Sequence, residues 1–465
     1  MLIRRTVMCS VLLGIVMTAF AAGTLKQPVV HAVDPGLRGG APSAGGALPG
    51  LTADETTFFQ DGLKRFLDIE SVTGRAKNGL GPRFNGNQCA GCHLQPAVGG
   101  SSPATNPQVG VATLNGAKNS VPWFITEKGP VREARFKRNP DGTPDGGVHA
   151  VFVITGRSDA AGCTIAQPNF LPAGNPLTGR GGNPNIALRI VTPVFGLGLI
   201  EAIPDGVILA NRQAEAAAKA RLGILGRPNA IISGTANHSA NDGTLTRFGW
   251  KAQNKSLLVF SGEAYNVEMG VTNQLFPQER DETPGCLFNA TPEDTLNCTA
   301  TPTTAVLSDI EAFANFMRFL APPVPAPDAP SIVHGRDLFR TIGCAACHTP
   351  ALTTGNVTSG GTTVPSAALS NQTANLYSDL LLHRMGKGLE DGITQGGAGP
   401  DEFRTAPLWG VGQRIFFLHD GRTSNLVEAI EAHSSSGSEA NQVIRRFHTL
   451  TPPEQQDLIN FLRSL

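Results

Sequence analysis

Two copies of a Cys-x-x-Cys-His motif constrain this chain more than any other feature of its sequence. They run from Cys89 to His93 and from Cys344 to His348. In such a motif two thiols lie on one short turn, where each can add to a vinyl group of one haem while the histidine binds the iron. Random placement of the cysteines and histidines in this chain gives about 0.003 such motifs. The sequence therefore predicts two covalently bound c-type haems, attached through Cys89, Cys92, Cys344 and Cys347 and ligated by His93 and His348.

A zinc site is the main alternative, because paired cysteines also form structural metal centres. Two features weigh against zinc. A histidine directly follows each cysteine pair, and Cys344 lies 255 positions after Cys89, so the pairs are far apart in the sequence. The signs of export described next also favour haem.

The first residues carry the pattern of a secretory signal. Arg4 and Arg5 precede a short apolar run, and small residues around Ala21 offer a cleavage site. We expect a signal peptide over residues 1–21, a flexible Gly/Pro-rich leader over 22–50, and a periplasmic or otherwise exported mature protein. An uncleaved anchor is the alternative, but the apolar run is shorter than the ~20 residues that a spanning helix needs. No later stretch is long and apolar enough to span a membrane.

Charge and composition narrow the possible partners and the fold. The chain has 37 basic and 37 acidic residues, which argues against nucleic acid or an anionic membrane as its main partner. The 54 glycines and 34 prolines predict long irregular loops around the helices. At about 150 residues per domain, a chain of 465 residues contains two or three domains.

Local signals predict where helices begin. The capping boxes Thr52-x-x-Glu55, Ser308-x-x-Glu311 and Thr451-x-x-Glu454 each precede apolar residues at helical spacing. The run 187–201 looks buried, but its period does not decide between strand and helix.

The two halves of the chain repeat one order of features. Gly62-x-x-x-Phe66 precedes the first haem motif, Gly335-x-x-x-Phe339 precedes the second, and a capped helix closes each half. Residues 321–330 form a stiff Pro-rich linker. We therefore predict a mostly α-helical protein of two cytochrome-c-like domains. The first covers 51–320 with a large insertion at about 96–246, and the second covers 331–465.

Three cysteines lie outside the haem motifs and the signal peptide. In an oxidising compartment Cys286 and Cys298 can close a short loop and leave Cys163 unpaired, although the sequence does not decide the pairing.

The C-terminal half resembles the di-haem cytochrome c peroxidase superfamily, which includes the di-haem enzyme that matures methylamine dehydrogenase. The resemblance lies in residues 402–410, 417–422 and 425–433, and it is loose over 96–246. Residues 377–386 are similar to a branch of peroxidase-like proteins also called thiol oxidoreductase-like. That label has little support, because no Cys-x-x-Cys pair outside the haem motifs could form a dithiol centre. The resemblance also implies a Ca²⁺ ion between the domains, whose ligands cannot be placed from the sequence.

By this resemblance, the second iron ligand of the C-terminal haem is His433, where relatives have Met or Tyr. An iron bound by two histidines is six-coordinate and of lower potential than one bound by His and Met. His383, Met385 and His419 are rival ligands, and His433 as a solvated residue at a helix end is a further alternative. His383 and Met385 are two positions apart, so they could not both face one iron from a helix.

Residues 247–251 and 266–270 resemble the corresponding family segment of the N-terminal half. This match implies that Trp250 is an electron relay between the haems and that Glu268 is the acid/base catalyst over the N-terminal haem. An aromatic core position for Trp250 and a surface carboxylate for Glu268 are the alternatives. His149, His238 or Met269 could instead cap this haem.

Three departures from the family pattern bear on activity. The family's Trp-Asp-Gly-Arg reads Gly-Trp-Lys-Ala from Gly249 onward, so its acid and Arg are missing. Its distal Gln has no convincing match, and its axial Met or Tyr is His433. We expect a small periplasmic donor to supply electrons to the C-terminal haem, and peroxide or another small oxidant to be reduced at the N-terminal haem. A non-enzymatic electron-transfer cytochrome and a di-haem oxygenase or protein-modifying oxidase are the alternatives.

Overall fold

The structure is a computed structural model. It describes residues 31–71, 79–114, 120–155, 161–170, 185–230, 245–278, 283, 285–286, 289, 291–296, 306–358 and 365–465. The predicted signal peptide, His238 and Cys298 lie outside the described residues. Within the described ranges, no helix is long and apolar enough to cross a membrane.

Helices dominate the regular structure. In the described residues they are α1 (Ala53–Phe66), α2 (Cys89–Cys92), α3 (Gln108–Leu114), α4 (Leu197–Glu201), α5 (Asp205–Gln213), α6 (Ala216–Arg221), α7 (Leu257–Met269), α8 (Asp309–Phe319), α9 (Pro330–Ile342), α10 (Leu426–Glu431), α11 (Asn441–Thr449) and α12 (Pro452–Ser464). Long irregular segments connect them. The protein is thus mostly helical, as predicted.

The strands are short and pair antiparallel. They are β1 (Arg83–Phe84), β2 (Arg132–Phe136), β3 (Val148–His149), β4 (Phe152–Val153), β5 (Ile186–Ile190), β6 (Leu352–Thr353), β7 (Thr373–Ala374), β8 (Leu382–Arg384) and β9 (Glu402–Arg404). The pairs are β1–β4, β6–β7 and β8–β9, and one sheet has the order β3–β2–β5. In that sheet Glu133 of β2 lies opposite Arg189 of β5.

The three predicted capping boxes are confirmed. Helices α1, α8 and α12 each begin with the reciprocal pair of hydrogen bonds, from Thr52, Ser308 and Thr451 respectively. Each box satisfies backbone N–H groups that the first helical turn otherwise leaves unpaired. The ambiguous run 187–201 contains both kinds of element, because it supplies most of strand β5 and then helix α4.

The repeated glycines mark two equivalent helix crossings. A methyl group at Gly62 of α1 would collide with the carbonyl of Ala312 in α8. A methyl group at Gly335 of α9 would collide with the carbonyl of Asp457 in α12. In both places glycine allows two helix backbones to approach more closely than any side chain would permit.

The repeated phenylalanines extend this equivalence to the haem motifs. The Phe66 ring lies 4.7 Å from that of Phe316 and 5.9 Å from the His93 imidazole, measured between ring centroids. The Phe339 ring lies 5.4 Å from that of Phe461 and 6.2 Å from the His348 imidazole. The two halves therefore hold their motif histidines with the same aromatic contacts.

The described part of the expected flexible leader contacts distant parts of the chain. Asp34 forms an ion pair with Arg463 of α12 and accepts a hydrogen bond from the Leu426 backbone N–H. Leu48 donates a backbone hydrogen bond to Phe319, and Val324 of the Pro-rich linker donates one to Ser43. Residues 34–48 are thus paired with segments far along the chain, and the flexibility of the leader stays a prediction.

The disulfide differs from the expected one. Cys163 and Cys286 are bonded, with Cα atoms 4.7 Å apart and 123 positions between them in the sequence. The preceding glycines explain the approach, because a methyl group on Gly285 would lie 3.0 Å from the carbonyl oxygen of Gly162. Proximity in the sequence suggested Cys286 with Cys298, but close packing of two distant segments determines the pairing.

Candidate active site

The first haem motif forms one turn of helix. The backbone N–H of His93 donates to the carbonyl of Cys89 at 3.0 Å, and the imidazole Nδ1 lies 3.2 Å from the carbonyl oxygen of Gly100. Burial lowers the pKa of His93 to about 4, so the ring is neutral at pH 7. With its Nδ1 proton held by a carbonyl, a neutral histidine presents Nε2 to a metal.

The second motif repeats this arrangement on a 3₁₀ turn. The backbone N–H of His348 donates to Cys344 at 2.9 Å, and its Nδ1 lies 3.0 Å from the carbonyl oxygen of Tyr377. Burial, with a smaller contribution from nearby His433, lowers the pKa of His348 to about 4. Each motif thus prepares a neutral imidazole for iron.

The thiols suit covalent attachment of haem. All four motif cysteines are unpaired and line one of two cavities, together with the motif histidine of the same half. Burial raises the pKa of each of these thiols, that of Cys92 to about 12. Over the residues that the structure describes, no group of three or more His, Cys, Asp or Glu side chains could hold a metal ion. The residues present fit two c-type haems, and they place neither a zinc site nor the calcium site.

The C-terminal cavity brings His433 to the same space as His348. His433 follows helix α10, where its Nδ1 lies 2.7 Å from the carbonyl oxygen of Ala429. Burial lowers its pKa, so this ring is also kept neutral. Both histidines of the predicted pair therefore have Nδ1 held by a backbone carbonyl and line one cavity.

The rival ligands line this cavity too. His383 lies on strand β8 and Met385 directly follows it, so neither is on a helix. Residues two positions apart on a strand share a face. His383 is engaged at both nitrogens, with Nε2 2.9 Å from Asp379 and Nδ1 2.8 Å from Glu439. Burial lowers its pKa, but the contacts with Cys347 and Asp379 outweigh burial and raise it well above 6.5. His383 is thus held at both ring nitrogens by carboxylates, whereas Met385 and His419 stay as rivals.

The N-terminal cavity differs in its charged lining. Glu268, in the last turn of α7, lines it together with Cys89, Cys92 and His93. Its negative charge adds to burial in raising the pKa of both thiols, which places it close to the motif. Further charged side chains that line this cavity are Arg132, Glu133, Arg135, Arg189 and Glu263.

Glu133 links Glu268 to two arginines. Its Oε1 accepts a hydrogen bond from Arg135 Nε at 2.7 Å, and Arg189 faces it across the sheet. Burial alone would raise the pKa of Glu133, but both arginines and the hydrogen bonds from Arg135 and Glu268 lower it. Glu133 therefore stays ionised between the two arginines, with the Glu268 carboxyl group beside it.

The sequence analysis missed this charged group. Glu133 and Arg135 lie on β2, inside the stretch that resembles the family only loosely. The available signal was Arg189, since a charged residue inside an otherwise apolar, buried run needs a buried partner.

Trp250 lines both cavities. Its Nε1 donates to the carbonyl of Ile190 at 2.9 Å, and its ring centroid lies 6.4 Å from that of His419. The backbone carbonyl of Trp250 accepts from the Arg404 N–H at 2.9 Å. The indole is therefore held in the wall that separates the two cavities.

Of the alternative ligands for the N-terminal haem, Met269 lines the first cavity and His149 does not. His149 lines neither cavity; its Nε2 lies 2.7 Å from Asp145 and its ring stacks on Phe136 at 4.0 Å. His149 is thus engaged elsewhere.

Two cysteine–histidine turns, each opening into its own cavity, are the arrangement of a two-centre redox protein. The chain belongs to the di-haem oxidoreductase family: residues 182–465, more than half of its length, match the family described as "Di-haem oxidoreductase, putative peroxidase". No curated protein matches the chain.

Some solved structures are similar over part of the chain. Hydrazine synthase from Kuenenia stuttgartiensis is 18% identical over 35% of this chain and 56% of its own, with a TM-score of 0.22. A MauG-like protein associated with microbial copper homeostasis is 17% identical over 35% and 55%, with a TM-score of 0.23. The di-haem peroxidase BthA from Burkholderia thailandensis is 15% identical over 51% and 75%, with a TM-score of 0.28. The chain thus spans just over half the length of the first two, and none of these partial overlaps determines its fold.

Proposed function

We propose that this protein is an exported di-haem peroxidase that reduces peroxide at the N-terminal haem. A small periplasmic donor supplies the electrons through the C-terminal haem. The observation that carries this proposal is the inequality of the two cavities. The N-terminal cavity contains carboxyl groups and arginines beside its motif histidine, His93. The C-terminal cavity instead contains a second neutral histidine, His433, together with His348.

The chain's own residues hold the two haems. Cys89, Cys92 and His93 attach and ligate the first, while Cys344, Cys347 and His348 do so for the second. When bound, the haem irons supply the electron-transfer chemistry and a site for peroxide.

The C-terminal site is suited to carry electrons. His433 and His348 both present Nε2, and two strong ligands leave no open position for a small oxidant. The remaining lining is largely apolar, with Phe339, Phe417 and Phe447 among its side chains. An apolar lining limits water access and so helps to set the reduction potential of the centre.

The N-terminal site is suited to move protons. Reduction of peroxide to water breaks the O–O bond, and a proton must leave the near oxygen and reach the departing one. Glu268 is the group that takes and returns this proton. Glu133 lies beside Glu268 and so orients it, while Arg135 and Arg189 keep Glu133 ionised.

Trp250 connects the two sites. Its indole borders both cavities and is fixed by its hydrogen bond to Ile190. An aromatic ring held at that position would give electrons a path between the two haems.

The test is the variant Glu268→Gln in the full-length protein with both haems attached. We expect kcat for hydrogen peroxide reduction to fall by roughly a hundredfold or more, because the amide can neither take nor return a proton. Absorption spectra should show both haems unchanged. Exposed Glu127 provides the matched control, Glu127→Gln, which should keep full turnover. Unchanged turnover in Glu268→Gln would refute the assigned proton carrier.

One observation favours a second candidate, a non-enzymatic electron-transfer cytochrome. Met269 lines the first cavity and could complete the coordination of the N-terminal iron. In that case both irons would be low-spin in EPR spectra, and neither cyanide nor hydrogen peroxide would change the spectrum in any redox state. A high-spin N-terminal iron that responds to cyanide would exclude this candidate.

A further inference from the structure

Tyr265 is one of only two tyrosines in the chain, and it lines the N-terminal cavity. It lies on helix α7, and its side chain is almost fully buried. Its hydroxyl donates to Oε1 of Glu70 at 2.9 Å and lies 3.3 Å from Oδ2 of Asp309. A buried phenol beside the proposed oxidising centre thus has a carboxyl group in direct contact with its proton.

Glu70 is suited to accept that proton. Its side chain is buried, and its Oε2 has no hydrogen-bond partner among the residues that the structure describes. Burial raises the pKa of Glu70 to about 7, against a smaller lowering from the Tyr265 hydrogen bond. A carboxyl group with that pKa exists in both protonation states near neutral pH, as a proton acceptor in a reversible step must.

Tyr265 is connected to the haem motif on one side and to the surface on the other. Its ring centroid lies 5.0 Å from that of Phe313, which lies 6.3 Å from that of Phe66 beside His93. In the other direction Asp309 pairs with Arg65 at 2.8 Å, and the Arg65 side chain is 28% exposed. Aromatic rings therefore connect Tyr265 to His93, and an ion pair connects it to the partly exposed Arg65.

We propose that Tyr265 is a redox-active residue that supplies one electron to the N-terminal centre while its phenolic proton moves to Glu70. This role rests on the proposed peroxidase function. Each peroxide takes up two electrons and two protons in becoming two waters, and Tyr265 provides one electron when the donor has not yet delivered it. Tyr265 becomes a neutral phenoxyl radical and Glu70 becomes protonated. One donor electron and the proton on Glu70 then restore the phenol and the carboxylate.

A purely structural role for Tyr265 would consist of fastening α7 to Glu70 and α8. The experiment must therefore detect the radical itself and not activity alone. The chain makes this possible, because Tyr377 is the only other tyrosine and lies in the other half. Tyr377→Phe keeps the backbone carbonyl that accepts from His348, so it is a matched control.

The test mixes the full-length di-haem protein with hydrogen peroxide, without donor, and freezes it for EPR spectroscopy. We expect an organic radical whose hyperfine pattern collapses when the protein is grown with ring-deuterated tyrosine. The signal should be lost in Tyr265→Phe and retained in Tyr377→Phe. A radical that persists in Tyr265→Phe, or that ignores the deuterated ring, overturns the proposal.

Glu70→Gln tests the proton acceptor without removing the phenol. The amide keeps an acceptor oxygen for the hydroxyl but cannot take up its proton. Formation of the tyrosyl signal should slow by roughly a hundredfold, while the haem spectra stay unchanged. Formation at the wild-type rate would show that Glu70 is not the acceptor.

Failure of the peroxidase function can be distinguished from failure of this inference. If the wild-type haems do not react with peroxide, a photogenerated ruthenium(III) polypyridyl complex can oxidise the protein instead. A tyrosyl signal that depends on Tyr265 would then support the redox role with a different natural oxidant. Its absence under both oxidants would refute it.

Discussion

The two haem cavities share a scaffold and differ in their lining. In each half a glycine allows a close helix crossing, a phenylalanine contacts the motif histidine, and a backbone carbonyl holds that histidine by Nδ1. The N-terminal cavity then adds six charged side chains from β2, β5 and α7. The C-terminal cavity adds His433 from the end of α10. The scaffold is thus the same in the two halves, and we expect the added side chains to determine what each haem does.

The largest effect is expected from the Glu133–Glu268 carboxyl pair and its arginines, which line only the N-terminal cavity. Arg135→Met removes the 2.7 Å hydrogen bond that keeps Glu133 ionised and so disturbs the orientation of Glu268. We expect peroxide turnover to fall by roughly a hundredfold, or about 2.7 kcal/mol in the activation barrier. The reduction potential of the C-terminal haem should not move. Equal damage to both haems would show that Arg135 is only a structural residue.

The next effect concerns the ligand that only the C-terminal half has. His433→Met should raise the reduction potential of one haem by on the order of 100 mV, because thioether ligation favours the reduced iron. Spectroelectrochemistry resolves the two haems. His334, half exposed on α9, gives the control His334→Met. If neither haem shifts in His433→Met but one shifts in Met385 or His419 variants, the second ligand is one of those rivals.

The shared scaffold predicts equal sensitivity in the two halves. Gly62→Ala and Gly335→Ala each place a methyl group against a carbonyl of the facing helix. We expect each to lower the free energy of unfolding by about 1–3 kcal/mol, the usual cost of overpacking. Gly39 has no atom within 4 Å of a built methyl group, so Gly39→Ala is the control. A clear loss in only one of the two variants would argue against equivalent helix crossings.

This scaffold was predictable because its signals are local. A capping box needs only residues three positions apart, and the glycine and phenylalanine lie on one helix face four positions apart. The charged group was not predictable in the same way. Glu133 and Arg189 meet through strand pairing across more than fifty residues of Gly/Pro-rich sequence, and no local pattern encodes that register.

The same reason explains the disulfide and the leader. Cys163 and Cys286 are brought together by packing of distant segments, and Asp34 forms an ion pair with Arg463 near the other end of the chain. The family resemblance predicted Glu268, Trp250 and His433 as site residues because it assigns each residue by its place in a matched segment. The structure adds that all three line haem cavities, whereas their roles stay predictions.

The smallest effect is expected at the residue that the two cavities share. Trp250→Phe keeps an aromatic ring in the wall but removes the Nε1 hydrogen bond to Ile190 and makes the ring harder to oxidise. We expect electron transfer from the reduced C-terminal haem to the N-terminal centre to slow by roughly tenfold, about 1.4 kcal/mol in the barrier. Stopped-flow absorption after mixing with peroxide measures this rate.

Trp409 supplies the matched control for this measurement. It is buried in the C-terminal half but lines neither cavity, so Trp409→Phe should leave the transfer rate unchanged. If Trp250→Phe also leaves it unchanged while Glu268→Gln stops turnover, the two sites would still be unequal. Their electrons would then cross by another path, with the His419 and Phe403 rings, stacked at 4.3 Å, as the next candidates.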